Sequence, residues 1–77
     1  MNPELLLDLV KVKMPYGKFE GTLICNIPTH YIEWMARENA FPKGKLGDLL
    51  RTMHEIRLNG LEDLLEPLKR KANLRPS

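Results

Sequence analysis

Leu46, Leu49, Leu50, Met53 and Ile56 recur at helical spacing, and Asn59-Gly60 closes the run. The period predicts a helix with one apolar face, stopped at Gly60, which takes a left-handed backbone readily. Gly47 weakens a helix interior, so it belongs near the start of this helix. One apolar face must be buried against other elements, and the chain has 77 residues with which to do it. That length allows a single domain. One thiol, Cys25, and two histidines, His30 and His54, exclude an internal disulfide. They cannot close a tetrahedral zinc site unless carboxylates or a second chain help. The fold must rest on its own small core or on a partner subunit, and such a core rarely supplies more than about 3–5 kcal/mol.

The other segments are short. Asn2-Pro3 suits a helix start, with Asn as cap and Pro at the first helical position. Leu5, Leu6 and Leu9 then predict a helix over about residues 3–9. From Val10 the period changes. Val10, Val12 and Met14 alternate with Lys11 and Lys13, which predicts a strand with a basic outer face. Pro15-Tyr16-Gly17 and Gly21 signal turns, and Thr22–Cys25 reads as a second strand, giving a β-hairpin with an exposed loop over 15–21. Pro28-Thr29 opens the next helix, whose apolar residues are Tyr31, Ile32, Trp34 and Met35. Asn39 is its stop. Leu61, Leu64 and Leu65 begin a last short helix, which Pro67 should break or kink.

The predicted fold is therefore α+β: a short N-terminal helix, a small antiparallel hairpin, two longer helices and a short C-terminal helix. The domain spans 1–68, and 69–77 form a basic, frayed tail. The hairpin face of Val10, Val12, Met14 and Leu23 is expected to pack on Tyr31, Trp34, Leu50 and Met53, with Trp34 in the core.

Twelve basic residues face ten acidic ones, a balance too mild to indicate nucleic-acid binding by itself. The distribution is more informative. Lysines gather at 11–18, at 43–45 and in the tail, while residues 46–66 hold five acidic residues against two arginines. An ordinary solvated surface has such patches too. No secretory h-region and no spanning helix is evident. A lone cysteine suits a reducing cytoplasm.

Motifs for catalysis are lacking. Lys43-Gly44-Lys45-Leu46-Gly47 has neither the spacing nor the Ser/Thr of a P-loop. It holds a G-x-x-G string, and free N–H groups at a helix start beside two lysines would suit a phosphate. A plain capped helix start is the commoner explanation of so short a string. Neither histidine has a partner at catalytic spacing, and Cys25 reads as a small buried strand residue. Tyr16 and Phe19 lie in the loop beside Lys13 and Lys18, where a ring could stack on a base while lysine meets phosphate. They could equally cap the hairpin.

The string Met14-Pro15-Tyr16-Gly17-Lys18-Phe19-Glu20-Gly21 is followed by Leu23, Ile27-Pro28, Tyr31-Ile32 and Trp34. The chain continues through Phe41-Pro42-Lys43-Gly44-Lys45-Leu46-Gly47 and Glu55–Glu62. Over roughly 10–68 this pattern resembles the small bacterial family described as "putative quorum-sensing-regulated virulence factor". The first half is also similar to the C-terminal module of exodeoxyribonuclease X-like proteins. That resemblance implies no activity, because no nuclease domain is present, and it suggests only a module working near nucleic acid.

The expectation for function is a non-catalytic module without cofactor or metal. Its partner would be nucleic acid, met by Lys11, Lys13, Tyr16, Lys18, Lys43 and Lys45. The alternative is a protein-interaction adaptor or small homodimeric regulator using apolar surface near Leu61, Leu64 and Leu65. No membrane role is expected.

Overall fold

A computed structural model of the chain describes residues 3–73. It contains four α-helices: α1 (Pro3–Leu9), α2 (Thr29–Arg37), α3 (Gly44–Leu58) and α4 (Glu66–Asn73). Two short 3-10 turns, Ile24–Asn26 and Glu62–Leu65, complete the regular structure. The expected cap at Asn2 and the end of the expected tail, 74–77, lie outside the described residues.

The α+β expectation is wrong, because no strand or sheet forms among the described residues. A single antiparallel bridge, Lys13 to Leu23, stands where the hairpin was expected. The reason lies at both ends of the supposed strands. Val10, Lys11 and Val12 donate back to the carbonyls of Leu7, Asp8 and Asp8, so the chain is still unwinding from α1 where the alternation begins. On the other side, Asn26 and Ile27 donate to Leu23 and Ile24, which curls Ile24–Asn26 into a 3-10 turn. Only the Met14 N–H to Thr22 and the Ile24 N–H to Val12 flank the bridge, at 2.8 and 3.0 Å. Cys25 is buried as expected, but in that turn rather than in a strand.

Between the two sides of the bridge, residues 15–21 form a loop whose Gly17 and Gly21 have φ of 85° and 84°. Side chains other than glycine rarely adopt that region. Gly21 donates to the Met14 carbonyl at 2.8 Å and closes the loop.

Helices α2 and α3 end in the same way. Asn39 (φ 52°) and Gly60 (φ 66°) turn left-handed. The following residues, Ala40 and Leu61, reach back to the carbonyls of Met35 and Ile56 at 2.8 and 2.9 Å. This is the Schellman closure, and it satisfies carbonyls that a helix end leaves open. Helix α3 starts earlier than its stripe implies, at Gly44, and Gly47 sits in its first turn. The requirement at Gly47 is steric: a Cβ there would collide with the Pro42 carbonyl. Pro67 does not break the last helix. It is the second residue of α4, where a missing N–H costs no intrahelical bond. Residues 69–73 continue that helix, with Leu68 against the core.

The core is built around α3, whose Leu49, Leu50, Met53 and Ile56 are buried. Leu9, Val10, Met14, Ile24, Ile27, Ile32, Met35 and Leu65 close around them. Val10 and Met14 thus reach the core without a strand to carry them. Trp34, expected inside, is 45% exposed.

Candidate functional site

The six residues singled out by sequence do not form one cluster. Lys13 and Lys45 come together. With Val12, Pro15, Leu46 and Leu49 they line an open groove of about 220 Å3 between the bridge segment and the start of α3. Its lining is mostly apolar, with the two lysines as its cations. Lys45 is already engaged, its Nζ lying 2.7 Å from Asp8 Oδ2. That hydrogen bond and the Asp8 charge raise the Lys45 pKa above its ordinary value. The G-x-x-G start of α3 therefore has one of its two lysines turned toward α1 rather than toward a phosphate.

Lys11, Lys18 and Lys43 are exposed, and no ion pair among the described residues involves them or Lys13. Tyr16 projects from the loop, 52% exposed. Lys18 belongs to a different arrangement, its Nζ lying 5.6 Å from the centre of the Phe19 ring. Phe19 meets Tyr31 of α2 edge-on, centroids 4.8 Å apart and planes at 69°. Tyr31 in turn stacks on Trp34, 5.9 Å away with planes 25° apart. The loop motif and the Tyr-x-x-Trp step of α2 thus make one row: a cation, then three rings, the last half in solvent.

Sequence reading placed Trp34 in the core because four apolar residues share one side of α2. The helix buries only Ile32 and Met35, three residues apart. Tyr31 and Trp34 occupy the adjoining row, also three apart, and the loop covers the first of them through Phe19. The usable signal was a second apolar row beside the buried one, facing a loop with its own aromatic.

Arg57 was missed altogether. Its side chain is only 11% exposed. It donates to the Ile27 carbonyl at 2.6 Å and to the Cys25 carbonyl at 3.0 Å, and lies 3.4 Å from Glu62. It ties α3 to the 3-10 turn that replaced the second strand. Arg57 stands four residues after Met53 and seven after Leu50, on the apolar stripe itself. A cation in that register was the available sign. Beside it, burial raises the Cys25 thiol pKa, against the opposing pull of Lys69 and Arg57.

The leucine patch is also redrawn. Leu65 is buried, whereas Leu58, Leu61 and Leu64 are exposed around the Asn59-Gly60 turn. Among the described residues no group of three or more His, Cys, Asp or Glu side chains is placed to hold a metal ion. No described helix is long and apolar enough to cross a membrane.

Comparison with known proteins agrees with the motif. The chain is 40% identical over 70 residues to "Uncharacterized protein YpeB" of Escherichia coli strain K12, covering 91% of this chain and 97% of that protein. The protein of the same name from Escherichia coli O157:H7 matches to the same extent. No solved structure matches. The exodeoxyribonuclease resemblance gains nothing from these matches. The family described as "Putative quorum-sensing-regulated virulence factor" matches over residues 2–68, and the chain belongs to it.

Proposed function

We propose that this chain is a small non-catalytic module that binds nucleic acid through its lysines. The observation that carries the reading is the state of those lysines. Four of the five singled out, Lys11, Lys13, Lys18 and Lys43, are exposed and carry no ion pair among the described residues. Their charge is left for a polyanion. Lys13 also lines a mostly apolar groove. A cytoplasmic setting suits the lone, buried Cys25.

The test is the salt dependence of oligonucleotide binding, followed by fluorescence anisotropy. Each phosphate contact releases condensed counterion, so the affinity should fall steeply as salt rises. The double variant Lys13→Glu with Lys18→Glu should abolish binding and leave the fold intact. Lys45 is a poor choice for this test, because a glutamate there would face Asp8. Absence of binding to both single strands and duplexes at low salt would refute the reading.

A second reading has its own observation. Leu58, Leu61 and Leu64, each exposed within seven residues of chain, favour a protein-interaction adaptor or a small homodimer. Sedimentation of a strict monomer, unchanged by Leu61→Glu with Leu64→Glu, would remove the homodimer.

A further inference from the structure

We infer that the Phe19–Tyr31–Trp34 row is a base-stacking platform for single-stranded nucleic acid, with Trp34 as its outer ring and Lys18 as a phosphate contact. This rests on the nucleic-acid reading above and narrows it to one class of strand.

Three features carry the inference. First, Trp34 keeps 45% of its surface in solvent although one face lies on Tyr31. An indole is a large apolar body with a single polar N–H, and leaving it half exposed forgoes burial that a core position would supply. Second, the Tyr31 and Trp34 planes differ by only 25°, so a base laid on Trp34 would extend an existing stack. Third, a cation stands at the other end of the row, with Lys18 above Phe19. Tyr16, in the same loop, offers another exposed ring.

Stacking platforms read single strands because a duplex hides the faces of its bases against one another. Along α2, Arg37 and Glu38 lie one turn from Trp34 and are exposed. Arg37 offers a phosphate contact beside Trp34 and Glu38 opposes one, so this side of α2 sets no direction for the strand.

Trp34 is the only tryptophan in the chain, so its emission reports on this site alone. The full-length protein is titrated at low salt with four probes: a twelve-nucleotide oligothymidylate, a duplex of equal length, inorganic polyphosphate and a proline-rich peptide. The oligothymidylate should quench Trp34 and bind about tenfold more tightly than the duplex. Polyphosphate should bind without quenching. Trp34→Ala, followed with a labelled oligonucleotide, should lose about tenfold in affinity for the single strand and keep its affinity for polyphosphate. Trp34→Phe should recover part of the loss.

Equal binding of single strand and duplex, with Trp34 emission unchanged, would overturn the platform and leave the lysine reading standing. Failure of every polyanion to bind would overturn both. Quenching by the proline-rich peptide alone would overturn the platform in favour of a peptide-binding aromatic surface. Because quenching is read on the unaltered chain, the result does not depend on any variant folding.

Discussion

Arg57 and Lys18 are both cations set against other parts of the chain, and they serve opposite ends. Arg57 is nearly enclosed and uses its guanidinium on two backbone carbonyls and the Glu62 carboxylate. Lys18 is exposed, lies over a ring and meets no carboxylate among the described residues. The first region is a seam that closes the fold, joining α3 to a turn about thirty residues earlier in the chain. The second is a loop held by two left-handed glycines and one bridge, carrying Tyr16 outward and setting Phe19 against Tyr31. Stability is therefore concentrated along α3, and recognition is the role proposed above for the loop side.

That division can be broken by substitution. The largest effect belongs to the α3 side. Gly47→Ala pushes a Cβ into the Pro42 carbonyl, which cannot swing aside as a side-chain tip would. A loss of about 3 kcal/mol in urea unfolding is expected, comparable to the whole stability of so small a core. An unchanged midpoint would mean that the 39–43 turn yields freely.

Next comes Arg57→Ala, with an expected loss of about 2 kcal/mol, since hydrogen bonds from a charged group are worth more than neutral ones. Arg57→Lys should recover little, because one ammonium cannot reproduce the two-pronged planar contact. The single thiol gives an independent measure. Burial raises its pKa, so the native chain should react slowly with a disulfide reagent at mildly alkaline pH. Arg57→Ala should speed that reaction by loosening the turn that holds Cys25.

On the loop side the effects on stability shrink. Trp34→Ala should cost less than Arg57→Ala, because nearly half of the indole is already in solvent. On the proposal above, its consequence belongs to binding instead. If it destabilised the chain as much as Arg57→Ala, the contrast between the two regions would collapse.

The smallest effect is at the Asp8–Lys45 pair, which is exposed on the lysine side. Lys45 has a raised pKa in the folded chain. Its contribution is thus fully present below the ordinary lysine value of 10.5 and is lost as pH rises through the raised one. Asp8→Asn should lie slightly below the unaltered chain at neutral pH, and the two should converge in stability as the pH rises through the raised Lys45 value.

Much of the helical layout was legible. Apolar period and caps located α1, α2 and α3, and Asn39 and Gly60 turn left-handed where their residue types implied. Val10–Met14 deceived because an alternating pattern does not state whether the preceding helix has finished unwinding. The second expected strand failed for another reason: Arg57 binds the carbonyls of Cys25 and Ile27, and no local pattern announces a partner thirty residues away. Of the candidate site, the lysines were legible by charge alone, whereas the engagement of Lys45 by Asp8 required the approach of α1 to α3. Trp34 lies outside the core because α2 buries only the Ile32 and Met35 row of its wide apolar face.

The single bridge between Lys13 and Leu23 has a consequence for assembly. A true hairpin would present a row of open N–H and C=O groups along its outer side, the template by which sheets recruit further strands. With one bridge among the described residues, that template is missing. A partner that binds by adding a strand finds no ladder to extend. Two copies meeting through Leu58, Leu61 and Leu64 would have to interlock by side chains alone. Their contact would then be sensitive to a change of one leucine and indifferent to the backbone beneath it.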